Sequence, residues 1–261
     1  MGTQQPGVEA AMHFYGGLFG WVFEDTAPSG ATGRYELATL DGQEAGAITG
    51  PGTGVAAWNT YVSVDEADAA TRHLLSVGAT LKSAPAHTGS GGVPAVLADP
   101  EGAEYRIWQA RGRPGAQAVN LPGGWNFSDL HTTDTEAAAA FYTKAFDWQF
   151  DNLDFGTMIR RRGYGDHLEA TVDPNIRVRQ SGDLVPAASR TLLPGLSRRR
   201  PVSDRTGTCR LLSQTGTVRP GMRSASAPSF WGRTIPRTRT VLIRDPGGAV
   251  FTASQYTPPT G

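Results

Sequence analysis

Cysteine is almost missing from this 261-residue chain: Cys209 stands alone, so no intrachain disulfide can form. A reducing, cytoplasmic setting is the default expectation for such a chain. Net charge is missing as well. The 24 basic and 24 acidic side chains cancel, leaving no global field to steer nucleic acid or an acidic membrane surface. No apolar run approaches the roughly 18 residues that a membrane span requires. Residues 1–7 hold neither a basic n-region nor an apolar stretch, so no secretion signal is expected. Lysine is scarce, with only Lys82 and Lys144, and arginine carries nearly all the positive charge. With abundant Gly, Ala and Pro, that is the residue usage of GC-rich codons. These absences exclude nucleic-acid and membrane partners as expectations. They leave a small-molecule ligand, with the chain acting as a monomer through internal pairing or as a homodimer.

What is present is an internal repeat, the first feature to seek in a chain long enough for two domains. Glu9–Phe23 matches Glu136–Phe150 at an offset of 127, with Phe14, Tyr15, Phe19, Trp21 and Phe23 recurring as Phe141, Tyr142, Phe146, Trp148 and Phe150. Val96–Tyr105 matches Leu242–Phe251 at an offset of 146, so the second copy carries 19 more residues between its anchors. Each anchor has a physical reading. Ala11, Phe14, Tyr15, Leu18 and Phe19 fall on one face of a helix over Val8–Phe19. Asp134 is placed to cap the second copy's helix. Trp148–Phe150 reads as a short strand. Asp-Pro-x-Gly at Asp99–Gly102 and Asp245–Gly248 is turn chemistry between apolar runs, hence a hairpin in each copy. Trp58–Val64 alternates as a strand, Asp65–Val77 as an amphipathic helix stopped by Gly78. Trp125–Thr132 reads as a strand ahead of the second copy's helix. Its counterpart is expected to be missing from the first copy, where only Gly-Thr-Gln-Gln-Pro follows Met1. The boundaries are then 1–112 for the first module, 113–122 for a Gly/Pro-rich linker and 123–261 for the second module.

These residues resemble the vicinal oxygen chelate superfamily of glyoxalases, bleomycin-resistance proteins and extradiol dioxygenases, in its tandem bacterial form, some of whose members are labelled glyoxalase-like or hydroxylase. The carriers are the Ala-rich helix ending Phe-Tyr-x-x-x-Phe-x-Trp, a strand ending in Asp before a helix, and the Leu-x-Asp-Pro-x-Gly hairpin. The resemblance covers about residues 8–180 and 240–256. It implies an α+β fold of two tandem βαβββ modules forming a cup-shaped mixed sheet that holds a small ligand, often with a divalent metal. At the positions where metal-using relatives carry ligands, this chain has Phe127, Asn59, and Arg106 or Thr252. Those side chains do not make a divalent-metal site, so no metal and no other cofactor is expected. Of the histidines, His13 and His73 fall on helices, His87 and His167 in irregular stretches, and only His131 is in phase to face the cup.

By alternation, Asn59, Tyr61 and Ser63 share a strand face, as do Glu104, Arg106 and Trp108, and Phe127, Asp129 and His131. The candidate ligand-binding residues are therefore Asn59, Tyr61, Arg106, Trp108 and Phe127. Asp129 and His131 are weak candidates for a general base pair. All of them have an ordinary alternative as packing or half-exposed strand residues. Such a face suits an anionic or polar aromatic ligand.

From Ser181 to Thr240 the pattern fails. Eleven arginines face two acids, Asp183 and Asp204; Glu169 is the last glutamate; no helix or strand period persists; and no counterpart of Asn59–Val77 is visible. Three readings compete: a polyanion-binding insertion, a disordered linker, or a stretch translated out of frame. The second module's cup is expected to lack a wall. Function then divides three ways: a metal-free binder of small molecules, a metal-dependent or lyase-, isomerase- or hydroxylase-type enzyme of the same superfamily with any divalent metal held by other residues, or a partly frameshifted, inactive product.

Overall fold

The computed structural model describes residues 1–54, 56–119, 121–153 and 156–163, the short stretches 166, 169–170 and 174–175, and 193–198, 208–212 and 238–256. Helix α1 spans Val8–Phe19, as its spacing predicts, and buries Val8, Ala11, Tyr15 and Phe19. Gly20 stops it in the left-handed region, φ 77°, and returns its N–H to the Gly16 carbonyl. Helix α2 is Ala67–Ser76, capped by the Glu66 carboxylate. Helix α3 is Thr135–Phe146, capped as expected by Asp134, which accepts from the N–H groups of Glu136 and Ala137. Asp147 ends α3 at φ 54°, the repeat position of Gly20. A short polar side chain tolerates that conformation.

The first copy contains β1 (Gly2–Gln4), β2 (Val22–Asp25), β3 (Arg34–Leu40), β4 (Gln43–Gly50), β5 (Trp58–Asn59), β6 (Tyr61–Val64), β7 (Thr80–Ser83), β8 (Gly92–Ala98) and β9 (Glu104–Ala110). Two expectations are corrected here. The N-terminal strand is present: β1 runs parallel to β4 and antiparallel to β5, and pairing on both sides orders a run too short to show alternation. The strand over Trp58–Val64 is broken at Thr60, because the chain changes partner there. Upstream, β5 pairs with β1; downstream, β6 pairs with β9. The strand orders β2-β3-β4-β1-β5 and β6-β9-β8-β7 therefore join through one interrupted strand.

The second copy contains β10 (Trp125–Thr132), β11 (Trp148–Leu153), β12 (Gly156–Arg161), β13 (Leu193–Arg198), β14 (Thr208–Leu212), β15 (Thr238–Arg244) and β16 (Val250–Tyr256). Its order, β11-β12-β13-β10-β14-β16-β15, repeats the first copy's β2-β3-β4-β1-β5/β6-β9-β8. The pairing directions repeat too: β10 is parallel to β13 and antiparallel to β14, and β14 is parallel to β16. Between 181 and 240 the sequence shows no strand period, and there β13 and β14 are found flanking β10. Pairing with neighbours, not side-chain period, positions them. The remainder of 181–237, with the three readings placed on it, lies outside the described residues. The mixed α+β architecture stands as expected, and its unit is finer than the sequence repeat. The first copy alone is two βαβββ units, β1-α1-β2-β3-β4 and β5/β6-α2-β7-β8-β9.

The cores are exchanged between copies. Helix α1 packs with Trp21, Ile48 and Trp58 of its own copy, and with Ala249 and Phe251 of the second copy's hairpin. Helix α3 packs with Leu97, Tyr105 and Ile107 of the first copy's hairpin. The repeated anchors meet crosswise. The Tyr15 hydroxyl donates to Asp245 Oδ2 at 2.8 Å, and the Tyr142 hydroxyl to Asp99 Oδ2 at 3.0 Å. Each aspartate is buried, and its Oδ1 accepts two backbone N–H groups of its own turn. One carboxylate thus shapes a hairpin and holds the other copy's helix. The connector 113–122, read as a linker from composition, is packed in place. Ala118 is fully buried, and the Gln117 and Ala118 N–H groups donate to the Glu44 carbonyl.

Candidate functional site

Successive strand residues point to opposite faces, and that rule builds the site. On β9, Tyr105 and Ile107 enter the core while Arg106 and Trp108 turn the other way. On β5 and β6, Trp58 enters the core while Asn59, Tyr61 and Ser63 oppose it. The outward set lines a cavity of about 480 Å³ in the first copy. Strand β1 supplies its floor, β3 and β4 add Tyr35 and Glu44, the connector adds Arg113, and Trp125 reaches in from the start of β10.

Four of the five sequence-derived binding residues, Asn59, Tyr61, Arg106 and Trp108, are brought together here. The Tyr61 and Trp108 rings meet edge to face at 6.2 Å, and the Arg106 guanidinium lies 5.8 Å from the Tyr61 ring centre. Trp108 is fixed from two sides. Its Nε1 donates to the Arg113 carbonyl at 2.9 Å, and Gly92 leaves room for its ring, since a Cβ there would lie 2.5 Å from it. The fifth residue, Phe127, is on β10 in register with Arg210 in the second copy, and its side chain lies outside the described residues. Asp129 and His131 are also on β10 and do not line this cavity; their strand belongs to the other copy's sheet. Tyr35, Glu44, Arg113 and Trp125 were missed. Alternation along β3 could have found Tyr35, but only the folded connector brings in Arg113.

The electrostatics are those of a cationic, hydrogen-bond-donating cup. Arg106 and Arg113 face it, against Glu44 as the one carboxylate among its described lining residues. The Arg113 guanidinium stacks 5.2 Å from the Tyr35 ring. Arg106 Nη1 and Trp125 Nε1 are buried and find no protein acceptor, an uncommon condition for buried donors. Burial pushes the phenols of Tyr35 and Tyr61 above the usual tyrosine range, against the pull of Arg113 and Arg106 respectively. Both are therefore neutral hydroxyls at ordinary pH.

Tyr105 and Tyr142 are raised too, again chiefly by burial, with Asp99 adding to it. The unfolded chain releases these phenolic protons near pH 10, roughly the free tyrosine value, while the folded chain keeps them. Stability is therefore complete below that point and is expected to fall as pH rises beyond it. Denaturant midpoints across an alkaline series check this. A midpoint unchanged after the exposed tyrosines have ionised would contradict the assigned burial.

The described residues that line this cavity offer a poor ligand set for a divalent metal. Asn59 directs its amide N–H to the Ala57 carbonyl at 3.1 Å, and Arg106 brings a cation to the third ligand position. A single carboxylate is far from the oxygen-rich shell that a hard cation needs. Among the described residues no group of three His, Cys, Asp or Glu side chains is placed to hold a metal. Nor is any described helix long and apolar enough to cross a membrane.

Comparison with known proteins agrees with this architecture. Residues 3–108 match the family described as the glyoxalase-like domain. The chain is 35% identical over 138 residues to CFP32 of Mycobacterium bovis, provisionally named a glyoxylase, covering 51% of this chain and 53% of that protein. It is 31% identical over 153 residues to the anthracycline biosynthesis protein DauV of a Streptomyces species, covering 52% and 55%. The matches span about half the length of these relatives. Among solved structures, the Mn(II)-bound glyoxalase of Novosphingobium aromaticivorans superposes with a TM-score of 0.58 at 14% identity, over 97% of this chain and 80% of that one. The 2,2',3-trihydroxybiphenyl 1,2-dioxygenase of Sphingomonas wittichii gives 0.57 at 12%, over 97% and 88%. At such identities the likeness concerns the fold, and it extends across both copies. Residues 3–108 thus match the glyoxalase-like domain, and the fold across both copies resembles that of the solved glyoxalase and extradiol dioxygenase.

Proposed function

We propose that this protein binds a small organic molecule in the cup of its first copy, without the metal used elsewhere in the superfamily. The observation that carries this reading is the cavity of about 480 Å³ itself, walled by Tyr35, Tyr61 and Trp108 and supplied with buried donors that no protein group accepts from. A concave site that combines aromatic walls with convergent polar groups is a usual form of ligand pocket. The relatives' names point in different directions, one to glyoxylase chemistry and one to anthracycline biosynthesis. They support a small-molecule role and leave the ligand open. The lyase, isomerase or hydroxylase alternative needs a proton-transfer group beside the ligand, and Glu44 is the carboxylate that this cavity offers for it.

A thermal-shift screen of the whole chain against divalent metals and against small aromatic and carbonyl compounds tests the reading. Ligands that bind only the folded state raise the transition in proportion to occupancy. Stabilisation by aromatic compounds with no response to metals is expected. A stoichiometric divalent metal in the purified protein would overturn the metal-free assignment.

A further inference from the structure

Resting on that reading of the cavity, we infer that its ligand is an aromatic acid, whose carboxylate is held by Arg106. The argument begins with what Arg106 lacks. The side chain projects from β9 into the cup, its Nη1 is buried, and no protein acceptor reaches that atom. A buried cationic donor left unpaired is costly. Among the described residues the arginine has no ion pair; its neighbour is the face of the Tyr61 ring, which attracts a cation weakly. The other charges facing the cup do not compensate it. Arg113 is a second cation, stacked on Tyr35, and Glu44 is the single carboxylate.

The rest of the lining defines what accompanies the charge. Trp125 Nε1 offers a second buried donor without a protein acceptor. Neutral phenols at Tyr35 and Tyr61 add hydroxyls that can donate. Tyr61 and Trp108, edge to face, form an apolar corner that a flat ring can fill. A carboxylate, with two oxygens and several lone pairs, matches a guanidinium in geometry and sign. A metal ion or an ammonium group meets the wrong charge here.

Calorimetric titration of the full chain with cinnamate and with cinnamamide, which have the same ring and differ in the charge of the head group, tests the inference. The acid is expected to bind about tenfold to a hundredfold more tightly, the range for a charge-assisted bond made by a buried donor. In Arg106→Met that advantage should vanish, the acid losing far more affinity than cinnamamide. Arg106→Lys should retain part of it, and Trp125→Phe should cost the acid a few-fold. Circular dichroism and the thermal midpoint establish that each variant folds; should Arg106→Met fail, the lysine and Trp125→Phe variants carry the test. Equal binding of acid and amide, or an acid preference that survives in Arg106→Met, overturns the charge assignment and leaves the cavity reading standing. If neither compound binds, the aromatic-acid inference falls. The wider thermal-shift screen then decides separately whether the cavity takes other ligands.

Discussion

Asp245→Ala is expected to lower the unfolding free energy by about 3–5 kcal/mol, the cost of leaving several buried partners of a charge unpaired. The carboxylate is buried and accepts four hydrogen bonds. Gln5 Nε2 and the Tyr15 hydroxyl reach Oδ2 at 2.5 and 2.8 Å, and the Gly247 and Ala249 N–H groups reach Oδ1 at 3.0 and 2.7 Å. Two of these donors belong to the first copy and two to the turn of the second. The variant therefore loosens a hairpin and releases α1 from it in one step. Tyr15→Phe removes one partner of the carboxylate and also leaves the buried Trp58 Nε1, which donates to the Tyr15 hydroxyl at 2.7 Å, without its acceptor, so it should cost about 2 kcal/mol. Chemical denaturation of the three proteins measures both, and a loss under about 1 kcal/mol for Asp245→Ala would show that the copies are not held through this group.

Phe251→Ala should cost a similar amount, about 3–5 kcal/mol, because an entire buried ring is replaced by a cavity. Phe251 is fully buried and packs against Phe14, Tyr15 and Phe19 at centroid distances of 6.4, 5.7 and 5.8 Å. Those three rings lie some 230 residues earlier in the chain. The distinguishing measurement is hydrogen exchange: amides of α1 should lose protection when a side chain of the second copy is cut back. Loss confined to β15 and β16 would mean that each copy is stable by itself.

Much of this was legible in the sequence where local physics decides. The limits of α1 followed from apolar spacing, the cap of α3 from Asp134, and both hairpins from Asp-Pro-x-Gly. Four cavity residues followed from the pleat of two strands. What escaped was whatever depends on partners distant in the chain. β1 has three residues and exists because β4 and β5 flank it. β13 and β14 carry no readable period and are positioned by their pairing with β10. The interruption at Thr60 marks a change of neighbour that no alternation reveals. Asp129 and His131 share a strand with Trp125 yet do not line the cavity of the first copy, since phase assigns a face and not a cup. Arg113 enters the site through a connector whose composition suggested a loose spacer, and Trp125 through the first residue of β10. The crosswise contact of Tyr15 with Asp245 and of Tyr142 with Asp99 had both its partners in view as repeat anchors, yet nothing in one dimension tells which helix meets which hairpin.

That crosswise contact has a consequence in symmetry. A tyrosine of copy one meets an aspartate of copy two, and the equivalent tyrosine of copy two meets the equivalent aspartate of copy one. This is an isologous, two-fold contact of the kind that closes homodimers, drawn here between the halves of one polypeptide. A related chain with a single copy would have to recruit a second chain to satisfy the same pair of groups. Duplication within one gene supplies that partner at fixed stoichiometry, so the two surfaces can diverge. One can keep an aromatic, arginine-bearing cup while the other drifts, so long as the tyrosine and the aspartate on each side are kept.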